Sequence, residues 1–396
     1  MGLTMTSLLY LDHQATTPVD KRVIDAMSPY WANNFGNPHS NTHAVGWKAD
    51  KAIAKSKGQI AEAIGSESNE IIFTSGATES NNLAVYALCQ LSKKYPDRKQ
   101  VLVSPIEHKC VLNATSFWAE QFDLNLVTIK IDETGKIDLE WLRDAVNVPT
   151  LFCSIGYVNN EIGTIQPLHE ISDILHSKDI LLHSDCAQAP RTIACDDISE
   201  AVDIASFSGH KLGGPPGIGV MFVAAHLHEE IVSLLHGGGQ QMGLRPGTLL
   251  LPLCVGLGAA FDILNSSETR ENFHTVSKLR NYFFDKLTVI DRHITLNGPP
   301  LAHRHVGNLN VAFNGIKAFD LLMAMQPHLA ASTGSACSSG EIEPSHVILG
   351  IGHSRKRAEN SVRFSLSHVN TKDEIDEALN IIAKKTEFLS RLGISN

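Results

Sequence analysis

A lysine that follows a small-residue turn, with an apolar run on either side, is poorly explained as a solvated surface charge. Lys211 stands so in SFSGHKLGGPPGIG, residues 206–219, between Val202–Phe207 and Gly219–Val223. An amine held there is suited to forming a Schiff base with a carbonyl compound, the alternative being a plain turn between strands. Asp185 ends another apolar run 26 residues earlier, where an acid can keep a heterocyclic nitrogen protonated. Arg363 lies within the strand-like VRFSL. A guanidinium there is costly unless it meets an anion, either a substrate carboxylate or an internal acid. Cys337 sits among Ser335, Ala336, Ser338, Ser339 and Gly340, a loop composition that leaves a thiol room to be exposed and reactive.

These groups need a scaffold, and the chain supplies an alternating one. Residues 71–74 read as a strand that enters Ser75-Gly76-Ala77-Thr78 and then a helix to about Lys93. The free amides at that helix start and the Thr78 hydroxyl converge as an anion cradle. It has neither a Walker loop nor G-x-G-x-x-G, so a nucleotide is not its natural ligand. Strand and helix alternate onward through Glu107-His108-Lys109, VNNEIG (158–163) and the strand that ends at Asp185. This βαβα order predicts an α/β fold with a mainly parallel sheet, helices on both faces and ligands at the carboxyl ends of the strands. Five such ends carry polar residues: Thr78, His108, Asn160, Asp185 with Gln188, and Ser208 to Lys211.

That constellation suits pyridoxal phosphate. Asp185 is expected on the pyridine nitrogen, His108 against the ring face, and Asn160 and Gln188 on the phenolic oxygen. Ser208, His210 and the Gly76–Thr78 amides are expected on the phosphate, with Lys211 as the cofactor amine. Beyond the lysine, HGGGQQMGLRPGT (236–248) reads as a flexible loop able to approach a neighbouring subunit. The parallel pattern stops near Asn265. Residues 15–264 are therefore read as the large domain, and 265–396 with 1–14 as a smaller α+β domain that carries the Cys337 loop. Its expected elements are strands at 308–313 and 362–366 and helices at 266–286, 319–325 and 372–392.

Composition narrows the class. With 396 residues, 43% of them apolar and 19% charged, this is an ordinary globular chain long enough for two domains. A net charge of -9 argues against nucleic acid or an anionic membrane as the main partner. No basic-then-apolar leader and no run of about 18 apolar residues is visible, which predicts a cytoplasmic protein. The seven scattered cysteines form no C-x-x-C pair, so neither a disulfide framework nor a zinc site is expected.

The motifs LDHQATTP, FGNP, TSGATESNNLA, EHK, NNEIG, SFSGHK, HGGG, RPGT, GSAC and VRFSL, in that order over residues 9–368, resemble cysteine desulfurases of the NifS/IscS type. Those enzymes belong to the class V aminotransferase group of fold-type I pyridoxal-phosphate enzymes. The resemblance implies conversion of L-cysteine to L-alanine, with sulfur passed to Cys337 as a persulfide and then to an acceptor protein for iron–sulfur assembly or thiolation. It implies Arg363 with Asn160 as the clamp on the substrate carboxylate, His108 as acid or base for the substrate thiol, and a homodimer in which Thr248 reaches the partner's phosphate. The serine-rich segment around Cys337 matches the long-loop group. Selenocysteine lyase or another class V aminotransferase is the nearest alternative, and an inactive sulfur-carrier subunit the alternative of another class. Three departures stand out: Gln241 where the family usually has glutamate, Pro216 where it usually has lysine, and an end at Asn396 without the longer tail by which some relatives dock a scaffold.

Overall fold

The computed structural model describes residues 8–334 and 343–392. Cys337 and its neighbours 335–342 lie outside the described residues. Seven strands form the main sheet: β2 (Ile71–Thr74), β3 (Gln100–Val103), β4 (Asn125–Thr128), β5 (Thr150–Ser154), β6 (Leu181–Asp185), β7 (Ile204–Ser208) and β8 (Gly219–Val223). Their order is β2-β8-β7-β6-β5-β3-β4, parallel except for β8, which runs against both its neighbours. The expected α/β architecture is thus present, and the short, nearly continuous apolar runs are explained by helices on both faces. β2, β3, β5, β7 and β8 are buried along their whole length, whereas edge strand β4 is largely exposed.

The carboxyl ends of β2, β7, β6, β5 and β3 fall on one edge of this sheet, so five sequence-distant turns meet there. β8 starts at the same edge, with Gly219 paired to both Ser208 and Thr74. A side chain on Gly219 would place its Cβ 2.6 Å from the Gly76 Cα. Glycine is required at that crossing, and the close approach sets the turn before Lys211 against the helix start at Ala77.

A second core surrounds a three-stranded antiparallel sheet, β12-β10-β9, built from β9 (Thr295–Leu296), β10 (Asn308–Ala312) and β12 (Ser361–Ser365). Helices Ser267–Ile290, Ala318–Met325 and Lys372–Arg391 cover it, packing Phe283, Leu321 and Ile375 onto Leu309 and Phe364. β1 (Leu9–Tyr10) pairs in parallel with β11 (Leu329–Ala330), which carries Leu9 and Leu11 into this second core. A long helix over Ala44–Ile64 is ended by Gly65 in the left-handed conformation.

The ends of several elements have local causes. The first helix, Lys21–Met27, passes into a single 3₁₀ turn, Ser28–Tyr30, around Pro29. The helix Lys109–Gln121 starts where the His108 ring caps it by accepting from the Cys110 amide. The charged helix continues past Lys286 to Ile290 and is capped by Ser266. The two-residue strands β1, β9 and β11 are too short to carry a periodicity.

Candidate active site

A cavity of about 620 Å³ opens where those strand ends meet. Lys211 forms the last residue of a 3₁₀ turn directly after β7, and its amine reaches the cavity without an ion-pair partner among the described residues. Burial lowers its pKa, opposed by the attraction of Asp185 and Cys110, so the neutral, nucleophilic amine is favoured more than in a surface lysine.

Asp185 ends β6 facing the same space. Its Oδ1 accepts from the Ala187 amide at 2.9 Å and its Oδ2 from Asn81 Nδ2 at 2.8 Å, which fixes the carboxylate in orientation. Behind it, His183 is buried beside the Ser154 hydroxyl at 2.8 Å, and burial pushes its pKa down to about 4. A neutral imidazole therefore backs the acid rather than a competing cation.

His108 caps its helix through Nδ1, which accepts the Cys110 amide at 3.2 Å. The proton is thus on Nε2, the nitrogen free to face a ligand. Burial and the neighbouring Lys211 lower its pKa, so the ring is neutral near pH 7. Cys110 lies 2.9 Å from the same ring nitrogen, and burial pushes its thiol up to about 11.

The helix start expected to cradle a phosphate is open. Gly76 has no capping side chain, and the Ala77 and Thr78 positions line the cavity with Ser208 and His210. His210 is steadied by Thr16 Oγ1 at 3.1 Å from Nδ1. Gln188 and Asn160 line the inner recess with Asp185, His108 and Lys211. One of the two Gln188 Nε2 hydrogens is already given to the Gln14 carbonyl, leaving one for a ligand oxygen. Thr248 is exposed and does not line its own chain's cavity.

Arg363 meets an internal acid. It is buried, donates from Nη2 to Asp12 Oδ1 at 2.6 Å and from Nη1 to the Asn160 carbonyl at 2.9 Å, and its Nε has no partner among the described residues. The internal ion pair holds the guanidinium at the cavity wall without using all five of its N–H groups.

The second wall comes from residues flanking the segment 335–342. Ser345 Oγ donates to Glu161 Oε2 at 2.5 Å, and His346 Nε2 donates to the Glu107 carbonyl at 2.9 Å. Gly334, at φ +88°, packs against Glu161, where a Cβ would lie 2.7 Å from Oε2. The Glu161 carbonyl is in turn held by Asn308 and Asn310 at 2.9 and 3.0 Å. Burial raises the pKa of Glu161 and pushes that of Glu107 up to about 8, despite the Gly156 amide on Glu107 Oε1 at 2.7 Å.

Sequence reasoning missed Asn81, Cys110, Glu107 and Glu161. Asn81 had a usable signal, since it stands one helical turn after Ala77 and returns to the same strand ends. The two glutamates lie beside His108 and Asn160 in residues already singled out, but nothing local announces that they are buried. Of the departures, Gln241 is buried and pairs both ways with the β2 backbone: the Phe73 amide donates to Oε1 at 2.7 Å and Nε2 donates to the Phe73 carbonyl at 2.9 Å. Pro216 is exposed and off the cavity wall.

The arrangement fits pyridoxal phosphate: an uncapped helix start for a phosphate, an oriented carboxylate for a ring nitrogen, and an unpaired buried amine for an aldehyde. The aminotransferase class-V family matches residues 9–378. "Cysteine desulfurase IscS" of Rickettsia rickettsii (strain Iowa) is 42% identical over 394 residues, which cover 98% of this chain and 93% of that protein. A solved "NifS-like protein" superposes with a TM-score of 0.88 at 31% identity, covering 96% of this chain and 100% of the other. "SspA in complex with cysteine" gives 0.77 at 34% identity, covering 91% and 99%.

Proposed function

The chain belongs to the class V aminotransferase family and is a pyridoxal-phosphate-dependent cysteine desulfurase, and from that premise we propose that Lys211, His108 and Cys337 carry its reaction. The observation that supports this reading most is the convergence of Lys211, Asp185 and His108 at one sheet edge beside an uncapped helix start. Pyridoxal phosphate, when bound, supplies an aldehyde for the substrate amine and a ring that withdraws electrons from the α-carbon.

The protein's own groups do the rest. The Ala77 and Thr78 amides with Ser208 and His210 hold the phosphate, Asp185 orients and charges the ring nitrogen, and Asn160 and Gln188 address the ring oxygen. Arg363 offers its remaining N–H groups, with the Asn160 side chain, to the substrate carboxylate. Lys211, as a neutral amine, takes the α-proton and returns one. His108, with its proton on Nε2, gives or takes the proton of the substrate thiol. Cys337 acts as thiolate on the substrate sulfur: the S–S bond forms, the carbon–sulfur bond breaks, and its electron pair stays on carbon, which takes a proton to become alanine. The product on the protein is a Cys337 persulfide, and thiol exchange releases its outer sulfur to an acceptor.

We place the large domain at 15–264 and the small domain at 265–396 with 1–14, a division supported by the two separate hydrophobic cores. A homodimer with Thr248 at the partner's phosphate, a cytoplasmic location, and an acceptor in iron–sulfur assembly or thiolation complete the proposal. Mass spectrometry of enzyme treated with L-cysteine tests it. One added sulfur atom on the peptide containing Cys337 is expected, and sulfur found on another cysteine instead would overturn the role of Cys337.

A further inference from the structure

A second cavity, of about 350 Å³, lies away from the cofactor site, between the N-terminal turn at residues 17–23, the Leu251–Leu264 and Ser267–Ile290 helices, and the small-domain residues 305–306 and 366–369. Its polar floor is made almost entirely of donors. Arg191 enters it with no carboxylate partner among the described residues. Its Nη2 donates to Ser367 Oγ at 2.6 Å and to His368 Nδ1 at 3.1 Å, and its other N–H groups are unspent. Because His368 accepts at Nδ1, its proton is on Nε2. His305 Nδ1 accepts the Gly307 amide at 3.0 Å, so it too carries its proton on Nε2, and that N–H has no partner among the described residues although the residue is 4% exposed.

The only carboxylate on the lining is Asp20, and it is committed to Arg22 at 2.8 Å and to that residue's amide. A partly buried guanidinium without a counter-ion is costly. Burial accordingly pulls the Arg191 pKa down to about 10, opposed by the attraction of Asp20. Burial and Arg191 together push His305 down to about 3, so both imidazoles stay neutral. Of the three cations on the lining, Arg22 is paired with Asp20 and Glu268 and Lys21 is exposed, which leaves Arg191 as the one partly buried, unpaired charge among the described residues. The opposite walls are apolar, formed by Ile263, Phe273 and Val369 among others. The volume is that of a small-molecule pocket.

We propose that this cavity binds a small organic monoanion, a carboxylate on a short apolar body, with the carboxylate on Arg191 and the Nε2–H groups of His305 and His368. The one unpaired, partly buried cation matches a monoanion, and the apolar walls match a hydrocarbon body rather than inorganic phosphate. The cavity is lined from both hydrophobic cores, so its ligand bridges the two halves of the chain that also form the catalytic cavity.

Calorimetric titration of the holoenzyme with hexanoate tests this, with hexanamide and inorganic phosphate as controls and the cofactor absorbance followed to report any entry into the catalytic site. Hexanoate is expected to bind at one site per chain without changing that absorbance, hexanamide and phosphate to bind at least tenfold more weakly, and Arg191→Gln to weaken hexanoate about ten- to a hundredfold, as loss of a charged hydrogen bond should. Should Arg191→Gln fail to fold, Ile263→Trp fills the apolar end, leaves the guanidinium in place and is expected to block hexanoate. Absence of hexanoate binding at millimolar concentration, phosphate binding as tightly as hexanoate, or equal hexanoate binding by wild type and the folded variants would overturn the proposal and leave Arg191 as a strut to Ser367 and His368.

Discussion

The two walls of the catalytic cavity are held by different forces. On one side, Lys211 and the Ala77 helix start are attached to strands buried along their length and locked together by backbone pairing across Gly219. Asp185 ends the neighbouring strand β6, which is buried at its centre. On the other side, of the residues flanking 335–342, Ser345 gives one hydrogen bond to Glu161, His346 gives one to the Glu107 carbonyl, and Val347 and Ile348 pack in a small cluster with Ile106 and Ile162. A close-packed wall fixes a proton-transferring amine to fractions of an ångström. A wall joined through two hydrogen bonds and one small apolar cluster is fixed less tightly.

This contrast predicts that losses on the first wall are severe and those on the second graded. Lys211→Ala is expected to lower alanine formation about a thousandfold or more while leaving the thermal unfolding temperature within a few degrees. Near-normal activity in that variant would remove the amine from the mechanism.

Glu107, between the walls, should announce itself through pH. Burial pushes its pKa in the fold up to about 8, from the ordinary carboxyl value of 4.5. A raised carboxyl pKa means that burial costs nothing below the unfolded value, where both states are protonated. The penalty grows as pH rises from about 4.5 to 8, as the unfolded state ionises first. Glu107→Gln, which keeps the acceptor for the Gly156 amide, is therefore expected to match wild type near pH 5 and exceed it by roughly 2–5 kcal/mol above pH 8 in denaturant unfolding. A pH-independent difference between the two proteins would show that this carboxyl is ionised in the fold.

Glu161 tests the polar wall. Glu161→Ala removes the acceptor for Ser345 and is expected to cut kcat about ten- to a hundredfold with KM little changed, and Glu161→Gln, which retains an acceptor oxygen, to recover most of it. Equal defects in both variants would indicate a requirement for the charge rather than for the docking bond.

The smallest effect expected lies outside both walls. Gln241→Glu replaces the donor to the Phe73 carbonyl with a second acceptor, and the buried mismatch is expected to cost about 1–3 kcal/mol in unfolding with kcat unchanged. Unaltered stability would mean that the β2 edge does not depend on the amide.

How much was legible beforehand divides along the same line. The sheet, its parallel sense and five of its ligand-bearing ends could be read from Lys211, Asp185, His108, Thr78 and Asn160, because each follows an apolar run of strand length, a local signal. Glu107 and Glu161 could not, since their importance lies in burial against residues 49 and 184 positions away, Gly156 and Ser345. The second cavity was equally invisible: Arg191, His305 and His368 come from three separate stretches, and none lies in a motif. Gln241 was noticed as a departure, but only its pairing with Phe73 gives that departure a physical meaning.

The most direct test of the central claim is release of alanine and sulfide from L-cysteine in the presence of a thiol reductant, for wild type and Cys337→Ser, with the visible spectrum of each recorded. The account predicts a yellow wild type that forms the two products in equal amounts and a mutant that is yellow but releases no sulfide. A Cys337→Ser enzyme that releases sulfide at the wild-type rate would contradict it.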